Sequence, residues 1–351
     1  MIAASATTIN PNMRIRRERR MPHAGEITVS IGQQVTPVQV VARTSQQRGF
    51  TIVSGAELLG VRAEELPKYL LVEEGAAVQR KKPLLERRSL FGGKTVTSPV
   101  NGVLYQVSHG RLILQQTPDL LELRAMMPGM ISNFLGNHGV VVETQGALIE
   151  AQWASGREGY GTIKVVAERD TVLSAEHIGA DVRGMILVAG RIGHLRALEL
   201  AEENSARGVI VGSTAAELVP NFSHFRFPIF ITEGFGTTPM STPVYNLLQQ
   251  CNGREATLLG SVADTWQRPE IIVPIAEAKP LQQQATAPNQ LQEGQQVRVW
   301  REPHAGKVGK IVFVVKRSRP TEVGYRLPGA EVRLEDGETV FVPYANLDMI
   351  R

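Results

Sequence analysis

The residues best placed to do chemistry in this 351-residue chain lie in three short loops, each after an apolar run. The first is Gly190-Arg191-Ile192-Gly193-His194, after Met185-Ile186-Leu187-Val188-Ala189. The second is Gly212-Ser213-Thr214, after Val209-Ile210-Val211, and the third is Glu233-Gly234-Phe235-Gly236-Thr237-Thr238, after Ile229-Phe230-Ile231-Thr232. At the C-terminal ends of parallel strands, small residues and free backbone amides form a cradle for an anion. Gly190, Gly193, Gly212, Gly234 and Gly236 allow close backbone approach, and Arg191 adds a cation. Ser213 and Thr238 are placed to cap the helices that follow, with Pro239 in a first turn. His194 and Glu233 form an acid–base pair if the fold brings them together. The same residue types also make tight strand-to-helix turns with no ligand at all.

Several chemistries are not expected. Gly190 and Gly193 lack the Gly-x-Gly-x-x-Gly spacing, and no Walker-type Lys follows them. Gly156 to Gly161 is rich in glycine but leads into a strand, which suits a β-turn better than a phosphate loop. The seven His residues are scattered, none beside another ligand, so neither a metal nor a cofactor is expected. The lone Cys251 rules out an internal disulfide and ends a helical stretch, where a small packed residue suits better than a nucleophile. No residue is assigned a catalytic role, and the chain leans towards a non-enzyme.

A second group of residues lies near the C-terminus. Gly294-Gln295-Gln296-Val297-Arg298-Val299-Trp300 alternates as a strand, Pro303 to Gly309 is a loop with glycines at 306 and 309, and Lys310 to Val315 is the next strand. Three more strands follow over Ala330 to Leu334, Glu338 to Pro343 and Asn346-Leu347, with a favoured Asp336-Gly337 turn between the first two. Arg298, Trp300, Arg301, Lys307 and Lys310 gather at the loop, and Lys316, Arg317 and Arg319 follow the second strand. Basic residues beside an aromatic suit a phosphate backbone and stacked bases. From 292 to 351, however, ten basic side chains face eight acidic ones, a net of only +2, which favours protein over RNA as partner. The strand, Gly-containing loop and second strand starting after Gly309 resemble a KOW domain. The resemblance implies an SH3-like barrel that contacts RNA, RNA polymerase or other proteins.

The remaining elements must position these groups. Glu74-Gly75-Ala76-Ala77-Val78 and Ser98-Pro99-Val100-Asn101-Gly102-Val103, with an earlier Gly32 repeat, resemble the barrel-sandwich hybrid of biotinyl and lipoyl carriers. No Met-Lys-Met is present, so the resemblance is one of fold and implies no carrier role. The expected order is a basic flexible arm over 1–22, a barrel-sandwich-hybrid-like β domain with a short helical insertion over 23–125, and a Gly-rich β segment over 126–180. A compact α/β layer domain over 181–278, a Gln/Ala/Pro linker over 279–292 and the KOW barrel over 293–351 complete it. The fold class is thus multidomain α/β plus all-β. Hydrophobic residues at 42% and charged residues at 21% suit globular domains, and the net charge of +4 permits an acidic partner without demanding one. No apolar run approaches the ~20 residues of a membrane span, and Met1 to Met21 is polar then basic. These features and the single thiol lead to the expectation of a cytoplasmic protein. Two function classes fit: a non-enzymatic binding and assembly protein working through the barrels, or a small-molecule or anion binder, possibly an enzyme, using the loops around Gly190, Gly212 and Glu233.

Overall fold

The computed structural model describes residues 9–46, 49–88, 93–260, 268–275, 291–299, 301, 303–321 and 324–350. Trp300 and nearly all of the expected linker lie outside them. The described chain is rich in strands, arranged in several sheets, none of which closes into a barrel.

A twelve-stranded mixed sheet dominates. Four of its strands run parallel in the order Glu158–Val165, Met185–Ile192, Gly208–Thr214, Ile229–Phe235. Continuous apolar runs make these strands because both faces are covered. Ile186, Val188 and Ile210 face the helix Thr242–Gln250 through Val244 and Leu248. Leu187, Ala189, Val209 and Val211 face the helix Leu195–Glu203 through Ala197, Leu198 and Ala201. The aromatic stretch after Pro220 joins the second face, with Phe222, Phe225 and Phe227 buried and His224 exposed. Cys251 lies in the first core, 4% exposed, and burial pushes its thiol pKa up against a smaller downward pull from Arg254. The native protein should therefore resist iodoacetamide at neutral pH and take up one equivalent in denaturant. Native labelling at the rate of a free thiol would contradict this burial.

Residues 1–8 of the expected basic arm lie outside the described residues, and the rest is not an arm. Ile9–Arg20 is a strand paired antiparallel with Gly139–Glu150 along almost its whole length. The pleat explains it: odd-numbered Ile9, Ile15 and Arg19 point inward, while Arg14, Arg16 and Arg20 point out. Arg19 donates to both Glu158 oxygens at 2.7 and 2.8 Å and through Nε to the Arg124 carbonyl at 3.1 Å. Arg17 pairs with Glu270, and Arg14 with Glu143. The basic run is thus used up by carboxylates of its own chain rather than offered to a polyanion.

The expected boundaries before 278 dissolve for the same reason. The large sheet takes strands from the arm, from the first β domain at Gln34–Val35, from the Gly-rich segment and from the α/β region. The rest of 23–125 forms sheets of four and two strands around Leu59, Leu85, Leu104 and Leu112, with Gly55–Leu59 and Ala63–Tyr69 as the helical insertion, and a three-stranded sheet whose Val41 and Leu123 join the core of the large sheet. At the C-terminus, five antiparallel strands follow the order Thr339–Pro343, Arg326–Leu334, Val308–Pro320, Gln296–Val299, Leu347–Met349. This sheet has its own core of Val297, Val299, Ile311, Val332 and Leu347. It stays open: its edge strands do not pair with each other.

Candidate functional site

The two groups of residues singled out in the sequence meet one another. Alternation along Val297-Arg298-Val299 sends both valines into the core of the C-terminal sheet and Arg298 to its opposite face. That face lies against the C-terminal end of the strand Ile229–Phe235. There the Arg298 Nη1 donates to both oxygens of Glu233 at 2.9 Å, and Nη2 donates to Asp348 Oδ2 at 3.2 Å. Asp348 is the cross-strand partner of Arg298, between buried Leu347 and Met349. The side chains of Arg298 and Asp348 are 0% exposed and that of Glu233 is 2% exposed, so water contributes almost nothing to their solvation.

The remaining lone pairs are largely satisfied. The Glu233 Oε1 also accepts the Ser241 backbone N–H at 3.0 Å and the Thr232 hydroxyl at 3.2 Å. Asp348 accepts from Arg268 and from Gln152, each at 3.4 Å. Burial works against the Arg298 charge, but Glu233 and Asp348 outweigh it and its pKa rises above the usual guanidinium value. The cluster is a charge-neutral clasp of two cations and two anions between the sheets. Two further contacts fasten the same joint: Ile350 bridges to Ile9 of the N-terminal strand, and Gly306 sits so close to Thr238 that a Cβ there would lie 2.5 Å from the Thr238 methyl.

Of the expected anion cradle, Glu233 is therefore engaged by the chain itself. Glu233 is committed to Arg298, while His194 is exposed at the start of the helix Leu195–Glu203 and makes no bond to Glu233. Gly190 and Gly212 are buried inside strands, where a Cβ would come within 2.6 Å of the Thr171 nitrogen and 2.5 Å of the Met240 nitrogen, respectively. These glycines permit backbone packing. A Cβ on Gly193 would meet Val172 at 2.8 Å, whereas Gly234 and Gly236 have positive φ and open space around them. Ser213 lies within its strand rather than capping a helix, and the helix after Thr238 begins at Thr242, with Ser241 as its N-cap. The Ser213 Oγ and the Arg191 Nε, on register partners of adjacent strands, have no hydrogen-bond partner among the described residues.

The other C-terminal cations remain at the surface. Lys307 pairs with Asp336 at 2.8 Å, and Arg319 pairs with Glu331 at 2.7 Å while lying over the Phe341 ring. Arg301, Lys310 and Arg317 are exposed, and Lys316 belongs to the strand Val308–Pro320. Missed by sequence reasoning were Asp348, Arg268, Gln152 and Ser241. The one available signal was an Asp between two apolar residues of a strand. Among the described residues no cluster of metal-ligating side chains occurs, and no helix is long and apolar enough to cross a membrane.

Fold and site together define a strand-rich mixed α/β protein whose C-terminal sheet is clamped to a large sheet by a buried ionic clasp. Compared with protein-family models and with curated proteins, the chain matches none.

Proposed function

We propose that the chain is a non-enzymatic binding and assembly protein whose KOW-like C-terminal sheet docks a protein partner. The observation that carries this reading is the long hairpin Val308–Pro320/Arg326–Leu334. One face of the C-terminal sheet is anchored by the clasp, yet the hairpin presents Phe313, Leu327 and a 70%-exposed Tyr325 beside Arg317 and Arg326. Exposed aromatics ringed by arginine are the composition of interface hot spots. An acidic, partly apolar protein surface complements it. Rigid anchoring lowers the entropy lost when such a hairpin binds.

The test is affinity purification of the full chain from its native cell, with and without nuclease, comparing wild type with Phe313→Ser/Tyr325→Ser. Partner recovery should fall by about tenfold or more, as loss of two aromatic anchors implies, and should be insensitive to nuclease. Nuclease-sensitive recovery would move the assignment to RNA, and unchanged recovery with the variant would reject the hairpin.

A further inference from the structure

We propose that the cleft at the N-terminal ends of the parallel strands is a second binding site, for a di- or triphosphate ligand of nucleotide size. The proposal is independent of the hairpin reading. The cleft encloses about 840 Å³ and lies at the end of the sheet opposite the clasp, a volume within the range of small-molecule sites. Its charge comes from Arg124, Arg183, Arg207 and Arg226, all exposed and all lining it. Arg183, Arg207 and Arg226 stand just before the starts of three successive parallel strands, Met185–Ile192, Gly208–Thr214 and Ile229–Phe235. Neighbouring strands lie about 4.8 Å apart. The three arginines therefore spring from neighbouring strand starts, a backbone spacing on the scale of a phosphate chain. Arg124 comes from another wall, where Arg19 holds its carbonyl.

Three carboxylates share the lining. Glu158 is paired with Arg19, whereas Glu202 accepts the Arg226 backbone N–H at 2.7 Å and Glu255 accepts from the Tyr160 phenol, neutral donors that leave both of those charges in place. The four arginines outnumber these two carboxylates, and none of the four side chains has a hydrogen-bond or ion-pair partner among the described residues. The excess positive charge favours an anion, which guanidiniums take through bidentate contacts. Val38, Met126 and Phe227 add apolar wall beside the arginines, which suits a ligand with an apolar portion as well as phosphates. A neighbouring cleft of about 950 Å³ lacks this imbalance at Arg14, which Glu143 neutralises.

The test titrates the full-length protein with ATP and, separately, with inorganic tripolyphosphate, by calorimetry at low and high salt. At least one probe should bind with a Kd below about 1 mM, more weakly as salt rises. Arg183→Ala/Arg207→Ala should weaken binding about tenfold or more and Arg226→Ala by less, with circular dichroism and melting unchanged because these side chains are exposed. Arg317→Ala, on the distant hairpin, should leave the titration as in wild type. Tighter binding of ATP than of tripolyphosphate, reduced by Val38→Asp, would assign a nucleotide, whereas equal binding would assign the phosphates alone. The proposal is overturned if neither probe binds in that range, or if the folded double variant binds as wild type does.

Discussion

Arg298→Ala is expected to lower the unfolding free energy by about 3–5 kcal/mol, the cost of breaking a buried ion pair on one side. The physical reason is what stays behind. Glu233 and Asp348 remain almost fully buried, Glu233 keeping only the Ser241 N–H and the Thr232 hydroxyl and Asp348 keeping Arg268 and Gln152. Urea denaturation of the full chain measures the loss, and a change below about 1 kcal/mol would mean that water reaches the joint. The double variant Arg298→Met/Glu233→Leu, which leaves Arg268 facing Asp348, separates the worth of the pair from the cost of orphaning it. Well-packed apolar replacements of buried ion pairs are often neutral or stabilising by about 1–4 kcal/mol, so the double variant should be more stable than Arg298→Ala. The clasp then acts chiefly in specificity: an apolar joint accepts many poses, whereas Arg298 accepts one.

Removal of residues 1–20 is expected to abolish cooperative folding and leave an aggregating product. The deletion strips a twelve-residue strand from Gly139–Glu150 and bares its backbone edge, a template for intermolecular pairing. It also withdraws Ile9 and Ile15 from two cores and leaves Glu158 and Glu270 without their arginines. A milder variant keeps the question quantitative: Ile15→Ala, at a fully buried position, should cost about 2–5 kcal/mol. Circular dichroism and gel filtration read both. A flexible polyanion-binding arm would give the opposite result, an unchanged melt after deletion.

Arg298 shows how much of the site was legible. Alternation in Val297-Arg298-Val299 marks it as standing off its own core, and a strand pattern rightly implies that its face meets something. The pattern does not say that the partner is Glu233, 65 residues away in the same chain. Glu233 was singled out for its place after a buried strand, and it does bind a cation, but an internal one. Gly190 and Gly212 serve close backbone packing, a role their residue type cannot distinguish from anion binding. The four cleft arginines carried no local signal at all, since three precede different strands and Arg124 ends another.

Periodicity alone determined that apolar runs such as Met185 to Ala189 become buried parallel strands between two helices, because local alternation reports burial on each face. It also determined a C-terminal strand module, expected over 294–300 and 310–315 and found over Gln296–Val299 and Val308–Pro320. The tertiary structure decided which surfaces meet. It turned a basic arm into a paired strand of the large sheet, drew strands from several expected domains into that sheet and pressed the C-terminal module onto the end of the strand Ile229–Phe235. These outcomes depend on register and on charge pairing over long sequence separations, such as Arg17 with Glu270 and Arg298 with Glu233. A charge in sequence carries no record of which opposite charge will share its burial.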